Sequence, residues 1–86
     1  MRPSELLARL VRGAVANVDF VDAQRLMEAL GFEELRVRGS HHIYARVAVP
    51  EQLNLQEARG QAKPYQLRQL VNLVRRYDLS IEESEK

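Results

Sequence analysis

LRVRGSHHIYARVAV occupies residues 35–49. Before this stretch apolar residues recur at helical spacing. Within it they alternate, and that change of period decides the fold. Leu35 and Val37 alternate with Arg36 and Arg38, the pattern of a half-buried strand. Gly39-Ser40 marks a turn. His41 to Val49 reads as a second strand, with Ile43 and Ala45 on the core face and His42, Tyr44 and Arg46 on the other, until Pro50 interrupts it.

Upstream, residues 4–12 predict a helix. Ser4 is a candidate N-cap, Glu5 suits the first turn, Leu6, Leu7, Leu10 and Val11 form one stripe, and Gly13 is a stop. After a connector, AVANV, Asp19 caps a second helix that carries Ala23, Leu26, Met27 and Leu30 on one face and ends at Gly31. Downstream, Leu53 and Leu55 alternate with Asn54 and Gln56 in a short third strand, and EARGQA (residues 57–62) reads as a polar loop. Pro64 opens a last helix with Leu67, Leu70, Val71 and Val74 at i, i+3, i+4 and i+7. The acidic tail, SIEESEK, is expected to fray.

The order is thus α-α-β-β-β-α, an α+β fold. Three strands joined by short links favour an antiparallel sheet, with helices covering one face and the other left open. With 86 residues the chain makes one small domain, residues 1–86, in which residues 1–17 form an N-terminal helical extension and residues 80–86 the frayed tail.

Cysteine is absent, so disulfide frameworks and thiol chemistry are excluded, which fits a cytoplasmic setting. No apolar run reaches the roughly 20 residues of a membrane span. The N-terminus lacks the apolar core of a secretion signal.

The net charge of +1 hides an asymmetry. Residues 36–76 carry eight basic and two acidic side chains, a net of +6. Seven of the eight cations are arginines, whose planar forks suit phosphate oxygens. A polyanion site is one reading. Solvated arginines scattered over unrelated faces are the other.

Only two histidines occur, His41 and His42, and with no cysteine and no HExxH spacing they make a poor metal site; neither metal nor cofactor is expected. Ser40 beside His41 is not a catalytic triad, because adjacency in sequence does not create triad geometry. RNA cleavage asks for less. The 2′-hydroxyl is a built-in nucleophile, one histidine can move its proton, and cations can stabilise the scissile phosphate. Against this stands the plain alternative of two polar residues at a turn. Tyr44 could stack on a base. Lys63, just before Pro64, could join a helix N-terminus in binding an anion.

The segment GFEELRVRGSHHIY, followed by VPEQLNLQ and AKPYQLRQLV, resembles the HicA family of toxins from type II toxin–antitoxin systems. The likeness runs from about Asn17 to Leu79, with NVDFVDAQRLMEALGF resembling the leading helix of the family. It implies a fold like that of double-stranded-RNA-binding domains. It also implies a metal-independent endoribonuclease that cleaves mRNA and is neutralised by a HicB-like antitoxin. By position, Gly39 and Ser40 match the turn pair, His41 matches the usual catalytic histidine, and Lys63 matches a basic residue at the Lys-Pro helix start. Some members carry the histidine one place later, at the position of His42. Strand alternation also favours His42, since Ile43 and Ala45 would carry His41 into the core; family position favours His41. RNA would be held by Gly39, Ser40, Tyr44, Arg36, Arg38, Arg46, Lys63 and Arg68. Ala45-Arg46-Val47 departs from the His-Pro that often follows the aromatic residue in relatives. The same fold could instead serve as a non-catalytic RNA-binding module or as a partner-binding domain.

Overall fold

The computed structural model describes residues 1–81. Its elements are α1 (Pro3–Val11), α2 (Phe20–Ala29), β1 (Glu33–Arg38), β2 (His41–Arg46), β3 (Val49–Ala58), β4 (Gln61–Ala62) and α3 (Pro64–Tyr77). The expected α-α-β-β-β-α order is present, with a two-residue strand added before the last helix. The strands form one antiparallel sheet in the order β1-β2-β3-β4.

Turn chemistry sets the sheet. Gly39 takes φ of 56° and Ser40 stays at negative φ, the signs of a type II′ turn, so Arg38 and His41 pair directly. Val47 and Ala48 make a second tight turn, with Ala48 at φ 72°. That turn ends β2 at Arg46, earlier than the expected Val49, and Pro50 lies inside β3 rather than ending β2. Residues 57–62 are no loop. Arg59 and Gly60, both at positive φ, turn β3 back onto β4.

The helices start on their neighbours rather than on the expected side-chain caps. Pro3 is the first residue of α1 and Arg2, not Ser4, is its cap. Asp19 does cap α2, but without a side-chain hydrogen bond. Instead the Phe20 N–H donates to the Gly60 carbonyl at 2.8 Å, and the Ala62 N–H donates to the Val18 carbonyl at 2.9 Å. The β3–β4 hairpin therefore anchors the start of α2. Gly31 follows α2 at φ 90°, where a glycine ends a helix without a Cβ clash.

All three helices lie on one side of the sheet. Helix α2 follows β2: the Phe20 ring sits 4.7 Å from the His42 ring, Gln24 Nε2 donates to the Tyr44 hydroxyl at 3.3 Å, and Arg46 Nε donates to the Leu30 carbonyl at 2.7 Å. Helix α3 covers β3, and α1 packs on both helices. Leu6 and Leu10 of α1 are 1% exposed, so the N-terminal helix is part of the core and not an appendage. Ile81, in the segment expected to fray, packs against the same core; residues 82–86 lie outside the described residues. Among the described residues no helix is long and apolar enough to cross a membrane.

The face expected for β2 is reversed. Tyr44 is 1% exposed and lies opposite Leu53, and His42 lies opposite the fully buried Leu55. Residues 42, 44 and 46 therefore look toward the helices, and His41, Ile43 and Ala45 look away from them. In HHIYAR an aromatic residue and an aliphatic one compete for the interior. The larger ring of Tyr44 wins, and Gln24 satisfies its hydroxyl. Strand β1 is exposed along its whole length, with Leu35 and Val37 each 49% exposed, so it is an edge strand and not half-buried. A bulge between Glu34 and Arg36 takes Leu35 out of register.

Candidate functional site

Reversal of β2 separates the two histidines. His42 points to the helix side. Its Nδ1 lies 2.7 Å from Glu34 Oε2, its ring packs on Phe20, and its side chain is 16% exposed. Glu34 is also the cross-strand partner of Tyr44. Burial pushes the Tyr44 phenol above its ordinary pKa, against the opposing effect of the Gln24 hydrogen bond. Gln24, Tyr44, Glu34 and His42 thus form a partly buried polar cluster that holds α2 on the β1–β2 hairpin.

His41 lies on the open face. Its direct partners in the ladder are Arg38 of β1 and Gln56 of β3, and directly opposed residues share a face. One step along, Arg36 and Asn54 flank Ile43. The open face therefore carries His41 between two arginines of β1 and two carboxamides of β3. Asn54 meets His41 directly: its Nδ2 and Oδ1 lie 3.0 and 3.3 Å from His41 Nδ1.

The start of α3 reaches the same end of the sheet. Gln66, 1% exposed, accepts the Gln56 N–H on its side-chain oxygen at 2.6 Å and donates from Nε2 to the Tyr65 hydroxyl at 3.3 Å. The Glu57 N–H donates to the Ser40 carbonyl at 2.9 Å. These bonds tie the Gly39–Ser40 turn, β3 and the first turn of α3 together. Lys63, half-buried, is the N-cap of α3 and directly follows β4.

Several residues expected to bind RNA are placed elsewhere. Tyr44 is buried under α2 and has no free ring face for a base. Arg46 is on the helix side and donates to the Leu30 and Val47 carbonyls, which secures the C-terminus of α2. Arg68 lies on α3, in a groove of about 230 Å³ shared with Leu10, Val11, Val71 and Arg75, away from the open face of the sheet. Of the other arginines in the basic block, Arg75 donates to the Val11 carbonyl and Arg76 to Glu51 at 2.7 Å. The +6 block is thus divided. Arg36, Arg38 and Lys63 stay on the open face or at the His41 end, with Arg59 at the turn just beyond; Arg46, Arg75 and Arg76 hydrogen-bond to other parts of the fold, Arg75 and Arg76 from exposed positions on α3.

Asn54, Gln56 and Gln66 did not stand out in the sequence. The alternation of LNLQ was the available signal, because it puts the two carboxamides of β3 opposite its leucines. Comparisons with protein families, curated proteins and solved structures find no match.

Proposed function

We propose that this chain is a metal-independent endoribonuclease of the HicA kind, the toxin of a toxin–antitoxin pair. It acts on mRNA in the cytoplasm and is neutralised by a HicB-like antitoxin. The observation that carries the reading is the separation of the histidines. His41 stands on the open face between Arg38 and Gln56, while His42 is held by Glu34 and Phe20 on the helix side. A general acid–base group must be reachable by substrate, and His41, though half-buried, lies on the face of the sheet that the helices leave open. Family position pointed to the same residue.

In this reading the 2′-hydroxyl of RNA attacks the adjacent phosphorus while His41 Nε2 takes its proton. The O2′–P bond forms and the P–O5′ bond breaks. The proton passes back to the departing 5′-oxygen, leaving a 2′,3′-cyclic phosphate and a 5′-hydroxyl. Arg36, Arg38 and Lys63 supply positive charge for the phosphate, and Gly39 and Ser40 hold the turn that presents His41.

The test is induced expression of wild type, His41→Ala and His42→Ala without antitoxin. Wild type arrests growth and fragments mRNA, and His41→Ala does neither. If wild type and His41→Ala grow equally well with intact mRNA, the catalytic reading fails. A second reading has one specific support: the side chain within hydrogen-bonding distance of His41 is the neutral Asn54, not a second acid or base. A binding module that holds RNA without cutting it predicts salt-sensitive binding that survives loss of both histidines. In that case Arg38→Ala lowers the salt slope by about 1.

A further inference from the structure

We propose that Asn54 is a positioning residue for His41, holding Nδ1 so that Nε2 is the nitrogen offered to substrate. The inference rests on His41 being the acid–base group. It goes beyond that reading in assigning which ring nitrogen works and what controls it.

The geometry is fixed by two strands of the sheet. Asn54 is the ladder partner of Ile43, and His41 that of Gln56, so Asn54 and His41 meet diagonally across β2 and β3 on the open face. The Asn54 carboxamide meets Nδ1 nearly side-on, with Nδ2 at 3.0 Å and Oδ1 at 3.3 Å. Both residues lie on regular strands, which hold a side chain more tightly than a loop does. The strand position next to them is held in turn, because the buried Gln66 side chain accepts the Gln56 N–H. With Nδ1 engaged by Asn54, Nε2 is the ring nitrogen that this contact leaves for substrate.

A carboxamide suits this task because it offers one donor and one acceptor. When Nδ1 is bare, Asn54 Nδ2–H donates to it and the ring proton resides on Nε2. When Nδ1 carries the proton, Oδ1 accepts it and the Nε2 lone pair is free to take a proton from a hydroxyl. After that transfer both nitrogens carry protons and Oδ1 keeps its partner. A half-turn of one amide therefore separates the proton-donating and proton-accepting forms of neutral His41. A carboxylate could serve only as acceptor, and its charge would hold the ring in its cationic form.

The experiment uses the full chain, with Asn54→Val as the deletion, chosen because a β-branched residue keeps the strand, and Asn54→Asp as the conservative variant. Imidazole 15N shifts report the His41 tautomer, and cleavage of a synthetic single-stranded RNA gives kcat and KM across pH. The expected result is a His41 Nδ1 shift that moves in Asn54→Val, where the hydrogen bond to that nitrogen is lost, with His42 shifts unchanged. In that variant kcat falls by about tenfold or more at unchanged KM. Asn54→Asp keeps a partner on Nδ1, as acceptor only, and moves the pH–rate inflection upward. If the His41 shifts and pH profile of Asn54→Val match wild type, the proposal is overturned. If wild type cleaves no RNA, the catalytic reading falls on that result alone, and the 15N shifts still decide whether Asn54 holds the ring.

Discussion

The side-chain oxygen of Gln66 accepts the backbone N–H of Gln56 at 2.6 Å. This one bond joins the first turn of α3 to the strand position that faces His41. Gln66 is the only buried polar or charged residue among the described residues, and it is 1% exposed. Replacing it with Leu keeps the volume but strands the Gln56 N–H. We expect Gln66→Leu to lose about 1–3 kcal/mol of stability, measured by urea unfolding. A change below about 0.5 kcal/mol would show that the bond is dispensable.

The two histidines differ in what they do for the fold. His42 packs on Phe20 and faces Glu34, so His42→Ala is expected to cost about 1–3 kcal/mol. His41 is on the open face, so His41→Ala is expected to stay within about 0.5 kcal/mol of wild type. Paired urea titrations check this. Equal losses would mean that the two side chains are not divided by the sheet.

Leu10 of α1 is 1% exposed among core residues. Leu10→Ala should therefore cost about 2–5 kcal/mol, the range for a buried leucine. Thermal unfolding would show one transition at a lower temperature. A separate early transition would instead mark residues 1–17 as an independent extension.

Glu51 binds α3 to the start of β3. It accepts the Tyr77 hydroxyl at 2.6 Å and the Arg76 guanidinium at 2.7 Å. The Tyr77 hydrogen bond, with smaller help from its own backbone and Arg76, lowers the Glu51 pKa. The folded value lies below the unfolded one, so the unfolded chain binds more protons between them and stability rises with pH through that window. The contribution is present above the ordinary carboxylate value of about 4.3 and is lost as pH falls through the lower folded value. Tyr77 has the complementary behaviour: its hydrogen bond to Glu51 raises its pKa, so its contribution is present below the ordinary phenol range and lost as pH rises through the folded value. Glu51→Gln is expected to flatten the acid limb of a stability–pH curve. An unchanged acid limb would place the dependence elsewhere.

Element order and most boundaries were legible in the residues. The periods of LLARLV, AQRLMEAL and QLRQLV are helical, Gly13, Gly31 and Pro64 punctuate them, and Gly39 turns β1 into β2, as local chemistry requires. The hairpin turn at Val47-Ala48 was not legible, because neither residue carries a turn signal and Ala48 adopts positive φ only within the closed hairpin. The β3–β4 return was hidden by polar residues that read as a loop, since its pairing depends on the segment at residues 18–20.

The candidate site divides in the same way. Local sequence determined that a Gly-Ser turn would present two histidines within the basic part of the chain, because backbone preferences and charge are properties of each residue. Both histidines are half-buried, and which of them takes the open face of the sheet was decided by packing. Strand alternation allows two faces, and Phe20 and Gln24 of α2 chose the one that buries Tyr44. The fate of each arginine was decided there too. Arg36 and Arg38 stay on the open face, whereas Arg46, Arg75 and Arg76 find partners distant in sequence or across a turn. A charge pattern along the chain cannot reveal such partners, because they come into reach only when the helices close over the sheet.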